Sequence, residues 1–129
     1  ESKEVIFRNP FEFWFVIGFA LLLGAVIVIG QAISESFGAT GAIIGAAMAG
    51  FADVDAVTVA MARLAPQILS PRSAALAILA AVATDTIGKL AIGAVIARGR
   101  FAAGIAVMAL GCLIAGAAAL WMTFALLPV

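Results

Sequence analysis

Four ionisable residues stand where the rest of the sequence is apolar. Asp53 and Asp55 lie in AGFADVDAVTVA (49–60), and Asp85 and Lys89 lie in AVATDTIGKLAIGA (81–94). Three carboxylates and one ammonium carry a formal charge of −2, which suits one divalent cation or the protonation of two acids. Oxygen-rich, nitrogen-poor ligands favour hard cations such as Mg²⁺. An ionised side chain near a bilayer centre costs about 2.5–3.5 kcal/mol, so all four facing lipid would cost roughly 10 kcal/mol. They are expected to face one another, water or an ion.

Spacing narrows the geometry. Residues two apart on a continuous helix point to different faces, whereas in an extended segment they point the same way. Convergence of Asp53 and Asp55 therefore predicts a helix unwound around Phe51 to Asp55. Gly50 is expected to end one helix and Asp53 to cap the next, with the break at Gly50 and Ala52. Thr58, three residues after Asp55, adds a hydroxyl on the same face. Asp85 and Lys89, four apart, are placed to pair, in a turn made small and polar by Thr84, Thr86 and Gly88. A plainer reading stands beside this one: Asp53 only a helix cap, and Asp85–Lys89 only an internal ion pair fixing helix register.

The elements that must hold these residues read as transmembrane helices. Of 129 residues, 66% are hydrophobic and 11% charged, with a mean hydropathy of +1.27, against about a quarter charged in soluble domains. A soluble core of this size has no room for that many aliphatic side chains. A bilayer crossing takes about 20 apolar residues, and four such runs occur, at 11–33, 41–62, 73–97 and 101–127. Residues 1–10 form a charged lead-in, Phe11, Phe13, Trp14 and Phe15 an interfacial aromatic belt, and QAISESFGATG (31–41) a polar connector. The first apolar run is too long for a cleaved leader. The fold class expected is all-α: a single polytopic membrane domain over 1–129, about four transmembrane helices, the second broken or re-entrant at Asp53–Asp55.

Charge and cysteine content exclude several functions. Seven basic residues balance seven acidic ones, so nothing recruits nucleic acid. No histidine and one cysteine, Cys112, leave no zinc or copper site within one chain, and Cys112 reads as a packing residue. Intramembrane proteolysis would need two acids on separate helices, but the GxGD pattern expected of it is absent; no enzyme is expected. Gly41, Gly45 and Ala49 form one small-residue stripe for helix packing, and Gly104 and Gly111, with Met108, another. AAMAGFADVDAVTVAMAR and LAAVATDTIGKLAIGAVIAR share an order of small residues, acid and arginine, a low-complexity hint of a repeat. Four plain spans put Lys3, Arg8, Arg63 and Arg72 opposite Arg98 and Arg100, favouring an inside N-terminus; turning the second span back is expected to cancel that bias.

FGATGAIIGAAMAGFADVDAVTVAMARLA (37–65) and AALAILAAVATDTIGKLAIGAVIARGR (74–100), with NPFEFWFVIGFALLLGAVIV (9–28) before them, resemble a bacterial membrane domain of unknown function found C-terminal to the MgtC/SapB domain. The most specific motif is G-x-A-D-V-D-A-x-T, Gly50 to Thr58. The family pattern has Asn-Thr ahead of the next span's Lys, where this chain has Asp85-Thr86. The resemblance implies an inner-membrane protein with an N-terminal membrane partner domain linked to magnesium homeostasis.

The reading overall is a small-cation channel or transporter, Mg²⁺ first and a monovalent cation or protons next, with no covalent cofactor. Asp53 and Asp55 are its expected metal ligands, Thr58 an auxiliary ligand, Thr86 a residue of the ion path, and Asp85–Lys89 the pair that tunes it. Four helices leave little room for a sealed path, so a homo-oligomer, a dimer first, is expected in the bilayer. The alternative is a non-transporting assembly or regulatory membrane domain.

Overall fold

The computed structural model describes residues 12–97 and 99–127; the lead-in 1–10 and Phe11 lie outside them. Four helices follow in order, with no strand among the described residues: α1 (Phe13–Gly50), α2 (Val54–Leu64), α3 (Pro71–Ile96) and α4 (Arg100–Leu126). α1, α3 and α4 are long and apolar enough to cross a membrane, as a membrane protein requires.

The polar stretch expected to connect the first two spans is mostly helix. Gln31 donates to Glu35 one turn on, and Ser34 donates to the Gly30 carbonyl, so local partners satisfy these polar groups and the helix runs on to Phe37. Gly38 then breaks it, with φ 66° and ψ −158°, a conformation that costs side-chain-bearing residues heavily. The chain reverses there. A Cβ on Gly45 would lie 3.3 Å from the Ile33 side chain, whereas a straight helix would separate the two residues by about 18 Å. α1 is thus two antiparallel arms, 13–37 and 39–50.

A second reversal follows at Phe51–Asp53, and α2 runs back beside both arms. Met61 reaches to 3.1 Å of the position of a Gly30 Cβ. After the turn at 65–70, Ser70 caps α3 by accepting from the Ser73 amide at 3.1 Å, and Pro71 stands at the first helical position, where its missing N–H costs nothing. α4 returns along α3, Gly116 against Leu79 and the Arg72 guanidinium 4.8 Å from the Phe124 ring centre.

The core lies between the 39–50 arm, α2 and α3. Seven of its eleven buried apolar residues are alanines: Ala42, Ala46, Ala56, Ala60, Ala74, Ala77 and Ala81. Small side chains allow close helix approach, which is how helices associate where lipid removes the hydrophobic driving force. The stripe Gly41, Gly45 and Ala49 is used, with Gly41 and Gly45 against Ile33, while the most buried face is one residue along, at Ala42, Ala46 and Gly50. Gly104 and Gly111 pack on nothing within the chain: nothing described lies within 4 Å of a Cβ at either. α4 has no buried residue, and Cys112 is exposed on it rather than packed. The hinted repeat is compositional, because α3 is unbroken through Asp85 while the segment around Asp53 is not.

Gly38→Ala is expected to destabilise the domain by about 1–3 kcal/mol, the usual cost of forcing a side chain into this backbone region. Gly24→Ala, with open space and an ordinary helical φ, is expected to leave the thermal unfolding midpoint in detergent unchanged. Equal midpoints for the two variants would mean that the reversal at Gly38 is not constrained.

Candidate functional site

The break between the two short helices carries the site. Phe51 keeps right-handed helical angles (φ −64°, ψ −28°) and Asp53 is extended (φ −158°, ψ 103°). The unwound stretch is therefore Phe51–Asp53, shorter than expected, and Asp55 stands in the first turn of α2. The amides of the break are paired. The Phe51 amide donates to Met48, and the amides of Ala52 and Asp53 donate to the Ala49 carbonyl. One carboxylate oxygen of Asp53 accepts from the amides of Asp55 and Ala56, both at 3.0 Å. Asp53 is an N-cap, as its residue type predicted.

α1 ends at Gly50, as expected, but by another device. The glycine does not terminate the helix with left-handed angles; among the described residues only Gly38 and Gly99 have positive φ. It lets backbone touch backbone. A Cβ there would lie 2.6 Å from the Ala81 carbonyl oxygen, 2.7 Å from its Cα and 2.8 Å from the Thr84 hydroxyl. Ala52 lies in the turn itself. Thr84, given no role of its own by sequence, donates to the Ala47 carbonyl at 2.7 Å across the two helices, as well as to its own helix at Ala81. The signal was a hydroxyl within an alanine-rich stripe; its partner lies 37 residues back and was not legible.

This contact sets where the break meets α3. Ala81 and Thr84 lie near halfway along α3 (Pro71–Ile96). The two arms that meet at the break, 39–50 and α2, hold 12 and 11 residues and rise about 18 and 16 Å, each roughly half of a hydrocarbon core about 30 Å thick.

Beneath the break is a cleft of about 380 Å³ lined by Phe51, Ala52, Asp53, Val54, Asp55, Asp85, Gly88, Lys89 and Ile92. It brings together the four ionisable residues on which the sequence reading turned. Lys89 bonds Asp85 at 2.7 Å; the Lys89 side chain is 73% exposed and that of Asp85 19%. The Asp55 carboxylate has no hydrogen-bond or ion-pair partner among the described residues. Thr58 and Thr86 do not line the cleft. Their hydroxyls donate to Val54 at 2.8 Å and Val82 at 2.7 Å, each on its own helix. No group of three acidic, histidine or cysteine residues among those described is placed to hold a metal ion by itself.

A family model described as a domain of unknown function (DUF4010) matches residues 1–97, and the chain belongs to that family. No curated protein and no solved structure gives a significant match.

Asp53→Asn keeps a capping oxygen, whereas Asp53→Ala removes it. The alanine variant is expected to lose about 1 kcal/mol of stability and the asparagine variant close to none, read as unfolding midpoints in detergent. If both lose stability equally, charge rather than the two amide bonds holds the start of α2.

Proposed function

We propose that the domain conducts or carries a small cation through the membrane, Mg²⁺ first and monovalent cations or protons next, using Asp53 and Asp55 with Asp85–Lys89 as the tuning pair. The observation that carries this reading is the unpaired Asp55 in a cleft shared with Asp53 and Asp85. A carboxylate at mid-membrane depth needs a proton, a cation or a partner, and the one cation in its cleft, Lys89, is bonded to Asp85 and reaches Asp55 only through space. Mg²⁺ suits such a site because it keeps most of its water and binds through one or two carboxylates. The segment 39–64 is then a re-entrant hairpin whose tip stands near the midplane; its two half-length arms support that. A broken helix at this depth is a recurrent way to build an ion site.

Around this centre the reading adds a bacterial inner membrane, an MgtC/SapB-type membrane domain on the N-terminal side and a homodimer whose interface includes the open faces of Gly104 and Gly111. It assigns no catalysis, no covalent cofactor and no nucleic-acid partner. Thr58 and Thr86 become supports of their helices, since their hydroxyls are bonded within them.

A second reading, a non-transporting assembly domain, draws on one fact: Asp53, and the Asp85–Lys89 pair, each have a local structural role. Liposomes holding the purified chain separate the two. Asp53→Asn and Asp55→Asn together preserve capping, so the double variant is expected to fold and to lose uptake of Mg²⁺ by at least roughly tenfold, the loss that about 1.4 kcal/mol of site energy produces. Uptake unchanged in the double variant, or absent from a folded wild-type protein in every salt, favours the assembly domain.

A further inference from the structure

The cleft is not symmetric about the break. Its lining on α3 descends from Asp85 through Gly88 and Lys89 to Ile92, toward the turn at 97–99. Here α3 has no hairpin beside it, because both arms stop halfway, and Ile92, Val95 and Ile96 are exposed. The opposite direction, toward the turns at Gly38 and 65–70, is apolar: it holds a cavity of about 110 Å³ between the 13–37 arm and the hairpin, lined by Ile29, Ile33, Ala42, Ala46, Val57 and Met61 and by no charged side chain. Gly50 lies backbone to backbone on Ala81, Thr84 bonds across to Ala47, and beyond them Ala42, Ala46, Ala60, Met61, Leu64 and Ala77 form a buried apolar cluster. None of these six offers a side-chain oxygen, so neither water nor a hydrated ion has a polar route through them.

We propose that the carboxylate site is a one-sided vestibule: a cation reaches Asp53 and Asp55 from the membrane face that carries the 97–99 turn, and the packed hairpin 39–64 closes the way to the other face. The inference rests on the cation reading above and adds its direction of access. Passage then requires the hairpin to move against α3, and the glycine reversal at Gly38 and the turn at 65–70 are the joints available to it. The chain order also names the face. A span count by sequence order alone, with arms 39–50 and α2 entering and leaving on one side, assigns Lys3, Arg8, Arg98 and Arg100 to one face and Arg63 and Arg72 to the other. The charge bias does not cancel, as the sequence reading expected; it is four against two. Positive charge marks the cytoplasmic side, so the vestibule faces the cytoplasm.

The test is thiol labelling with a membrane-impermeant maleimide, on a Cys112→Ala background, in intact cells and in inside-out vesicles. Gln67→Cys and Ala97→Cys report the two faces, and Ile92→Cys reports the cleft; all three positions lie outside the buried core. Ile92→Cys is expected to react only from the face that labels Ala97→Cys, and to react in inside-out vesicles. Labelling from the Gln67 face overturns the proposal, as does no labelling from either face while both reporters react. Labelling as expected in a protein that moves no ion would sink the cation reading and keep the vestibule. Ion movement with labelling from the wrong face would do the reverse.

Discussion

A backbone can leave its helix inside a bilayer only where the freed N–H and C=O groups find partners, since lipid offers none. On the proposed midplane placement of the hairpin, everything distinctive in this domain follows from how residues 51–53 meet that constraint. Two devices meet it: the turn's amides fold back onto Met48 and Ala49, and the Asp53 carboxylate takes two amides of α2. A third device fixes where the turn sits. Gly50 lets its arm touch the α3 backbone at Ala81, and Thr84 ties the same crossing with a hydroxyl bonded to Ala47. Without that crossing, nothing would place the turn against the middle of α3.

The position of the turn decides the electrostatics. Asp85 and Lys89 lie one turn further along α3, so the hairpin tip meets them and no other charged residues. Asp85 is neutralised within its own helix. Asp53 is committed through one oxygen to capping. Asp55 is the residue whose charge no local contact explains, although an acid in a first helical turn also gains from the helix dipole. The cleft therefore mixes groups with structural roles and one group without, which is why stability and ion movement have to be measured on the same variants.

The rest of the chain serves this centre or faces outward. The 13–37 arm supports the hairpin through its second half, with Gly30 against Met61 and Leu64, while Phe13, Trp14, Phe15, Leu21 and Leu22 are exposed. α4 touches α3 on one face and buries no residue of its own. Such surfaces are what lipid requires of a bilayer protein, and they do not compete with the alanine-rich core for close packing.

The sequence by itself determined the solvent, the number of apolar runs and the residues of the centre. Composition reports the bilayer directly, and an acid in an apolar run is legible wherever it falls. It also determined the cap at Asp53 and the pair Asp85–Lys89, because both are interactions within four residues. What only the tertiary structure decided depends on contacts across long separations. The reversal at Gly38 depends on a left-handed glycine like many others in membrane sequences, so QAISESFGATG read as a loop when most of it is helix. Gly50 read as a helix terminator, and α1 does end there, but sequence shows no neighbour at Ala81, so its close approach to α3 was not legible. Thr58 read as an auxiliary ligand and Thr86 as a residue of the path because a hydroxyl's partner, here a carbonyl one turn back, is fixed by rotamer rather than by spacing. Where the turn meets α3 came from two short arms and the contact at Gly50, a property of where helices stop and what they then touch.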